Sequence, residues 1–174
     1  MPARRVARTL LLVGEGDSEV RFLQHLKGLY VARGSGVAVT IKNARGKGAA
    51  HVVDFARRQS INAAYDLVAA MLDTDTDWND QTRVSARRSK VQVLACEPCL
   101  EAVLLTAHGA VVSGHNTSQC KQEFARRFGG PASDATVYVR HFDEGRMDGA
   151  CTRVQMLAEL RRLLQTGGTA VQGK

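Results

Sequence analysis

LVAAMLDTDTD, residues 67–77, joins six apolar residues directly to three alternating aspartates. A continuous apolar run that ends in polar residues is typical of a strand buried on both faces, as in a parallel sheet. Burial does not account for Asp73, Asp75 and Asp77, because like charges this close together repel one another. A divalent cation with oxygen ligands would hold them together, so we predict a Mg²⁺ site at the carboxyl end of this strand. The alternative is a solvated loop whose aspartates cap a helix over residues 80–89.

The first two-thirds of the chain alternate predicted strands with predicted helices. Apolar or β-branched runs predict strands over residues 9–13, 37–41 and 91–95, and apolar side chains at helical spacing predict helices over 17–32 and 49–60. Pro98 suits the first position of a further helix, where no N–H is needed. Short connections between such elements predict an α/β fold with a mostly parallel, Rossmannoid central sheet flanked by helices.

The last third of the chain is predicted to form a C-terminal helical extension. Apolar residues at helical spacing predict helices over residues 118–128 and 148–165. Between them, residues 135–139 alternate in a way that predicts a short strand. We expect these elements to belong to the same domain, because no linker divides the chain.

Length and composition indicate a single domain of residues 9–165, between a basic tail of residues 1–8 and a flexible tail of residues 166–174. No apolar run approaches the roughly 20 residues of a membrane span, and the start lacks a signal-peptide pattern, so no membrane association is expected. With no export signal, the four cysteines are expected to be reduced thiols in the cytoplasm.

The net charge of +7 is unevenly distributed along the chain. Residues 1–60 hold eleven Lys or Arg and four Asp or Glu, whereas residues 61–110 hold four and seven. A basic surface favours a polyanionic partner, and nucleic acid is the obvious one. The alternative is that the charge only keeps the protein soluble. Aromatic residues make up 5% of the chain, so base-specific readout of single strands is not expected.

A glycine-rich turn, Gly14-Glu15-Gly16-Asp17-Ser18-Glu19, follows the first predicted strand. It lacks the third glycine of the dinucleotide fingerprint, and Glu15 and Glu19 would repel a pyrophosphate. Residues 17–19 are explained as the first turn of the next helix, where carboxylates are favoured. Glu15 has no such explanation, which makes it a candidate site residue.

A second loop, residues 43–49, carries Arg45, Lys47 and two glycines before a predicted helix. Such a loop can hold a phosphate through backbone N–H groups and the lysine, so Arg45 and Lys47 are candidate phosphate-binding residues. The alternative is a flexible turn.

Cys96 and Cys99 form a C-x-x-C pair, for which zinc binding and redox chemistry must be considered. A zinc site needs two more ligands, and no second pair at zinc spacing is present in the sequence. A redox pair at a helix start is geometrically possible. Small buried thiols are the interpretation that we favour.

Acids from distant parts of the sequence are predicted to meet at one edge of the sheet. Glu15, Asp73-x-Asp75-x-Asp77, and Glu97 with Glu101 all follow predicted strands, and ligands of parallel sheets gather at the carboxyl ends. An EF-hand is excluded, because Trp78 stands where glycine is required. An aspartyl phosphatase would have Thr or Val in place of Asp77, and metal-dependent glycosyltransferases are normally larger.

These motifs resemble the Toprim domain, which is shared by topoisomerases, primases, OLD-family nucleases and small RNase relatives. The resemblance covers residues 9–108 and rests on Glu15-Gly16 after the first strand and Asp73-x-Asp75 after a later one. Glu15-Gly16-Asp17-Ser18-Glu19 and Pro98-Cys99-Leu100-Glu101 are similar to elements of the OLD-type and RloB-like branches. Leu100 replaces the aromatic residue of those elements, and Val103 stands where tryptophan is expected.

The resemblance implies a Toprim-like fold and Mg²⁺- or Mn²⁺-dependent hydrolysis of DNA or RNA, and through the RloB-like branch a role in phage defence. Asp73 and Asp75 would bind the metal with Glu15, or Glu15 would act as general acid or base; Asp77 is a further candidate ligand. Glu19 and Glu101 would complete a second metal position. Two alternatives stay open: a non-cutting nucleic-acid-binding module that acts with a protein partner or as a homodimer, and a small-molecule phosphotransferase or phosphatase.

Overall fold

The computed structural model describes residues 8–169, which form four strands and eight helices. In chain order the elements are β1 (Arg8–Gly14), α1 (Asp17–Tyr30), β2 (Val37–Asn43), α2 (Ala49–Asn62), β3 (Leu67–Asp73), α3 (Asp80–Arg88), β4 (Val91–Cys96), α4 (Leu100–Ala107), α5 (Thr117–Phe128), α6 (Ala135–His141), α7 (Glu144–Cys151) and α8 (Gln155–Thr166). Residues 1–7 and 170–174, and with them most of the two predicted tails, lie outside the described residues. Arg8 and Thr166, which the sequence assigns to the tails, belong to β1 and α8.

The four strands form one parallel sheet in the order β2-β1-β3-β4. Leu12 of β1 pairs with Ile41 of β2 and with Ala69 of β3, and Leu72 of β3 pairs with Ala95 of β4. The predicted α/β fold, with a parallel central sheet and flanking helices, is therefore confirmed as a Rossmann-like arrangement. All four carboxyl ends lie at one edge of the sheet, which is called the carboxyl edge below.

The buried side chains form two cores, one on each face of the sheet. On one face, α1 and α4–α8 pack through large residues such as Phe22 and Leu104. On the other face, α2 and α3 pack through smaller residues such as Ala86. Strand β3 contributes to both cores, because Met71 joins the first and Leu72 the second. This two-sided burial explains why its apolar run is continuous rather than alternating.

The strand predicted over residues 135–139 is wrong, because this segment forms helix α6. Asp134 caps the helix by accepting a hydrogen bond of 2.9 Å from the N–H of Thr136. Two neighbouring side chains, Val137 and Tyr138, are both buried, whereas Val139 is 75% exposed. Packing of the Tyr138 ring into the core therefore outweighs the strand preference of valine and tyrosine.

Two further boundaries differ from the predictions. The helix expected over residues 148–165 is divided into α7 and α8, and Asp143 caps α7 by accepting the N–H of Arg146 at 2.8 Å. Helix α4 begins at Leu100, so Pro98 precedes the helix instead of opening it. Within residues 8–169 no helix combines the length and the apolar character that crossing a membrane requires.

Candidate active site

Glu15 and Asp73 are neighbours at the carboxyl edge, at the ends of the two central strands. The Glu15 N–H donates to the carbonyl oxygen of Met71 at 3.1 Å, which continues the β1–β3 ladder. In return, the Asp73 N–H donates to Glu15 Oε2 at 3.0 Å. Two acids separated by 58 positions of sequence are thus placed side by side by strand pairing alone.

Glu19 is brought to the same place by the tight turn between β1 and α1. It is 6% exposed, and its Oε2 accepts the N–H of Gly16, the N-cap residue of α1, at 2.8 Å, which is the half of a capping box that a glycine allows. The turn depends on Gly14, because a Cβ there would lie 2.9 Å from Cγ2 of Val20. Glu19 therefore fulfils the helix-start role predicted for it and also faces Asp73.

Glu101 enters from the first turn of α4 and is 5% exposed. Its side chain makes no hydrogen bond or ion pair within residues 8–169. The start of α4 is instead capped by Asp73, whose Oδ1 accepts the N–H of Leu100 at 3.0 Å, since Cys99 at the N-cap position offers no side-chain cap. We call Glu15, Glu19, Asp73 and Glu101 the acid cluster.

The acid cluster carries uncompensated negative charge. Burial and the carboxylates of Glu19, Glu15 and Glu101 raise the pKa of Asp73 to about 8, against the opposing effect of the Leu100 N–H. Burial also raises the pKa of Glu19, with help from Glu15 and Glu101. None of the four carboxylates forms an ion pair within the described part of the chain. At neutral pH the cluster therefore retains a proton or attracts a cation.

Lys121 of α5 carries a positive charge that lies close enough to these acids to interact with them. Burial works to lower the pKa of Lys121, but Glu101, Asp73 and Asp75 outweigh it, so that the pKa is raised. The side chain is exposed. Sequence reasoning missed this residue, because nothing in its spacing distinguishes it from the other exposed cations of α5.

Asp75 and Asp77, although they alternate with Asp73, have other partners. Asp75 is exposed and accepts a hydrogen bond of 2.7 Å from the hydroxyl of Thr117 at the start of α5. Asp77 caps α2, where its two oxygens accept the N–H groups of Ala49 and Ala50 at 2.5 and 3.1 Å. Burial works to raise the pKa of Asp77, but these N–H groups outweigh it and lower the pKa. We therefore leave Asp77 out of the metal set. It caps a helix, but this helix is α2 and not the one over residues 80–89 named in the alternative prediction, which Asn79 caps.

The basic loop that carries Arg45 and Lys47 has left-handed backbone, with φ of 63° and 74° at these two residues. Because Asp77 already occupies the Ala49 and Ala50 N–H groups, the helix start is not free to bind a phosphate in the predicted way. Both side chains are exposed. Arg45 lines a cavity of about 520 Å³ together with Gly16, Asp17 and Asn43, at the same edge of the sheet.

The C-x-x-C cysteines are buried, as predicted. Cys96 and Cys99 are free thiols that are 0% exposed. Burial raises the pKa of both, and the nearby acids add to the effect. A thiol held in this way is protonated at neutral pH and is a poor nucleophile.

The acid cluster fits Mg²⁺ or Mn²⁺ in its chemistry, because its donors are all carboxylate oxygens. Hydrogen bonds occupy one oxygen of Glu15 and one of Asp73. As the side chains stand, no three His, Cys, Asp or Glu residues within residues 8–169 form a group that could hold a metal ion. Binding of an ion would therefore require the four carboxylates to draw closer together.

No protein-family model, curated protein or solved structure matches the chain. The resemblance to the Toprim domain therefore rests on Glu15-Gly16, Asp73-x-Asp75 and the elements around them, and it stays a prediction.

Proposed function

We propose that this protein is a Mg²⁺- or Mn²⁺-dependent nuclease of the Toprim type, which hydrolyses phosphodiester bonds in DNA or RNA. The observation that carries the proposal is the acid cluster, in which burial and three neighbouring carboxylates raise the pKa of Asp73 to about 8. A buried carboxylate without a partner is costly, and strongly perturbed acids of this kind are concentrated at functional sites.

The roles follow from where each side chain lies. Asp73 and Glu15 would hold one ion, and Glu19 and Glu101, which adjoin them from α1 and α4, would hold a second. When bound, the ions would lower the pKa of a water molecule and neutralise charge on the phosphate. Lys121 would bind a phosphate oxygen at the open side of the acid cluster.

The remaining basic residues would hold the nucleic-acid backbone. Arg45 and Lys47 are exposed at the carboxyl edge and would contact phosphates through their side chains, whose charges give affinity without sequence preference. Asp75, exposed beside Thr117, would lie at the periphery of the site. Through its RloB-like and OLD-type resemblance, the proposal extends to a role in phage defence in the cytoplasm.

The test is metal-dependent cleavage of supercoiled plasmid DNA and of single-stranded RNA, with Mg²⁺, Mn²⁺ or EDTA. We expect cleavage with either metal, none with EDTA, and a loss of at least about a hundredfold in Glu15→Gln, Asp73→Asn and Glu101→Gln. Glu97→Gln is the matched control, because Glu97 is an exposed carboxylate at the end of β4. It is expected to cut like the unaltered protein.

The same assays separate the alternatives. Salt-sensitive binding of nucleic acid without cleavage would replace the nuclease by a non-cutting module, to be retested with candidate protein partners. Hydrolysis of nucleotides without affinity for DNA or RNA would point to a small-molecule phosphatase. Cleavage that is equal in Glu101→Gln and Glu97→Gln would contradict the assignment of the acid cluster.

A further inference from the structure

A second cavity lies on the face of the sheet that α2 and α3 cover, opposite the face from which α1 and α4 contribute Glu19 and Glu101 to the acid cluster. It has a volume of about 450 Å³ and is lined by Trp78, Asp80, Arg83, Ala86, Arg87, Val91, Gln92 and Val93. The cavity is bounded by α3 and by β4, which is the last strand of the sheet. Its size is in the range of small-ligand sites, and no part of the proposed nuclease mechanism uses it.

The cavity combines an aromatic and aliphatic surface with positive charge. The half-buried indole of Trp78 and the side chains of Val91 and Val93 supply the apolar surface. The guanidinium of Arg83 lies over the indole at 5.1 Å from the ring centre and also pairs with Asp80 at 3.0 Å. This pairing compensates the one acid of the cavity, so that Asp80 does not repel an anion.

Arg87 is the cation of the cavity that is left for a ligand. Its side chain is exposed, one helical turn from Arg83, and it forms no ion pair or hydrogen bond within residues 8–169. Arg88 and Lys90, which follow it in sequence, are exposed too. An anion at the mouth of the cavity would therefore meet a planar guanidinium able to donate two hydrogen bonds.

We propose that the cavity binds a nucleotide unit, with the base against the stacked side chains of Trp78 and Arg83 and the phosphate on Arg87. Bases stack on aromatic and guanidinium planes without strong preference among them, and an arginine fork matches a phosphate. A single aromatic residue gives affinity but little sequence readout, in keeping with the low aromatic content of the chain. The unit could be a free nucleotide or the phosphorylated end of a strand; the experiment below separates these sources.

Charge argues against a second copy of this chain as the occupant. A second copy of this chain carries the same net charge of +7, and bringing two surfaces of like charge together opposes association. A phosphorylated ligand is complementary to this positive charge. The proposal does not depend on cleavage by the acid cluster.

Trp78 is the only tryptophan of the chain, so intrinsic fluorescence reports on this cavity directly. We would titrate the metal-free protein in EDTA with adenosine 5′-monophosphate and follow tryptophan emission. A saturable change is expected, with a weaker response to adenosine. Arg87→Gln should weaken the nucleotide by about tenfold and leave adenosine unchanged, because it removes a charge-assisted contact to the phosphate alone.

Arg88→Gln is the matched control, because it removes the same charge from the next position of α3, and Arg88 does not line the cavity. It should change the nucleotide affinity by less than about twofold, since solvent and salt screen a charge that makes no direct contact. Asp73→Asn should leave the titration unaltered, which would separate this site from the acid cluster. Equal thermal midpoints of the unaltered protein, Arg87→Gln and Arg88→Gln would show that these two variants are folded, and a cooperative thermal transition would show the same for Asp73→Asn.

Two oligonucleotides identify the source of the ligand. A linear single strand with a 5′-phosphate that competes with the nucleotide, while a circular strand does not, identifies a strand end; failure of both identifies a free nucleotide. The proposal is overturned if millimolar nucleotide gives no saturable change, if Arg87→Gln and Arg88→Gln behave alike, or if inorganic phosphate alone reproduces the response. An emission change that follows protein concentration, with a dimer in sedimentation, would instead show self-association.

Discussion

Replacing Asp73 by asparagine should change how the stability of the protein depends on pH. The pKa of Asp73 is raised from 3.8 to about 8, mainly by burial and then by Glu19, Glu15 and Glu101. A raised carboxyl pKa means that the folded state binds a proton that the unfolded state has lost. Stability contributed by that proton is complete below a pH of 3.8 and disappears as the pH rises through about 8.

The magnitude follows from the number of pH units that separate the two pKa values. Each unit is worth about 1.4 kcal/mol, so raising the pH from about 5 to about 8 should cost the unaltered protein up to about 4 kcal/mol of unfolding free energy. Asp73→Asn cannot ionise, and its amide oxygen can still accept the Leu100 N–H. Its stability should therefore be similar to that of the unaltered protein near pH 4, and its advantage should grow by up to about 4 kcal/mol between about pH 5 and about pH 8.

Urea unfolding of both proteins in EDTA, across this pH range, measures the difference directly. Titrating groups outside the acid cluster are common to the two proteins, so they cancel in the difference. Glu15, Glu19 and Glu101 are coupled to Asp73, so the measured difference belongs to the acid cluster as a whole. Glu97→Gln should give a flat difference, because it alters an exposed acid at the same edge of the sheet. Parallel curves for Asp73→Asn and the unaltered protein would refute the reasoning that the acid cluster is buried and uncompensated.

Addition of Mg²⁺ near pH 8 tests whether the acid cluster binds an ion. An ion bound by the acid cluster would replace the proton and restore the stability of the unaltered protein, whereas Asp73→Asn should gain much less. If the difference in unfolding free energy depends on pH but Mg²⁺ does not change it, the acid cluster is buried and uncompensated but does not bind the ion. A Mg²⁺ effect of equal size in both proteins would place the ion elsewhere.

Three further outcomes are expected in urea unfolding. Gly14→Ala should cost about 1–3 kcal/mol, because its Cβ would lie 2.9 Å from Val20, whereas Gly28→Ala in α1, with open space around it, should gain about 0.5–1 kcal/mol. Asp77→Ala should cost about 1 kcal/mol through loss of the α2 cap, and an unchanged midpoint would contradict that role. Tyr138→Phe should cost about 1–3 kcal/mol, because it leaves a buried carbonyl oxygen without its 2.6 Å hydrogen bond; a neutral result would show that the bond adds nothing.

The sheet could be predicted because its central strands, β1 and β3, are buried on both faces. Such strands are continuous apolar runs, which helices of the same length seldom are. The placement of Glu15 beside Asp73 followed from the same argument, since parallel strands end at one edge. Residues 135–139 were wrongly predicted to form a strand, for a physical reason. Their preference for strands is weak, and the core position of Tyr138 is set by α1 and the segment around Phe142, which local sequence does not reveal.

Lys121 could not be predicted, because its role depends on how α5 packs against α4. On its own helix it is one of several exposed cations, and only the position of α5 brings its charge close to Glu101 and Asp73. The cavity at Trp78 could not be predicted for the same reason. Its lining comes from a loop, from α3 and from β4, and no periodicity in the sequence links those three segments.

The three aspartates that follow β3 illustrate how spacing can mislead. Residues two apart in a strand point to the same side, so an Asp-x-Asp-x-Asp pattern suggests three ligands for one ion. The strand ends at Asp73, however, and beyond that point the chain no longer keeps the alternation. Asp75 turns toward Thr117 and Asp77 toward the start of α2, each to satisfy a nearby donor. Acids that are far apart in sequence therefore complete the cluster around Asp73, because helices α1 and α4 begin beside it.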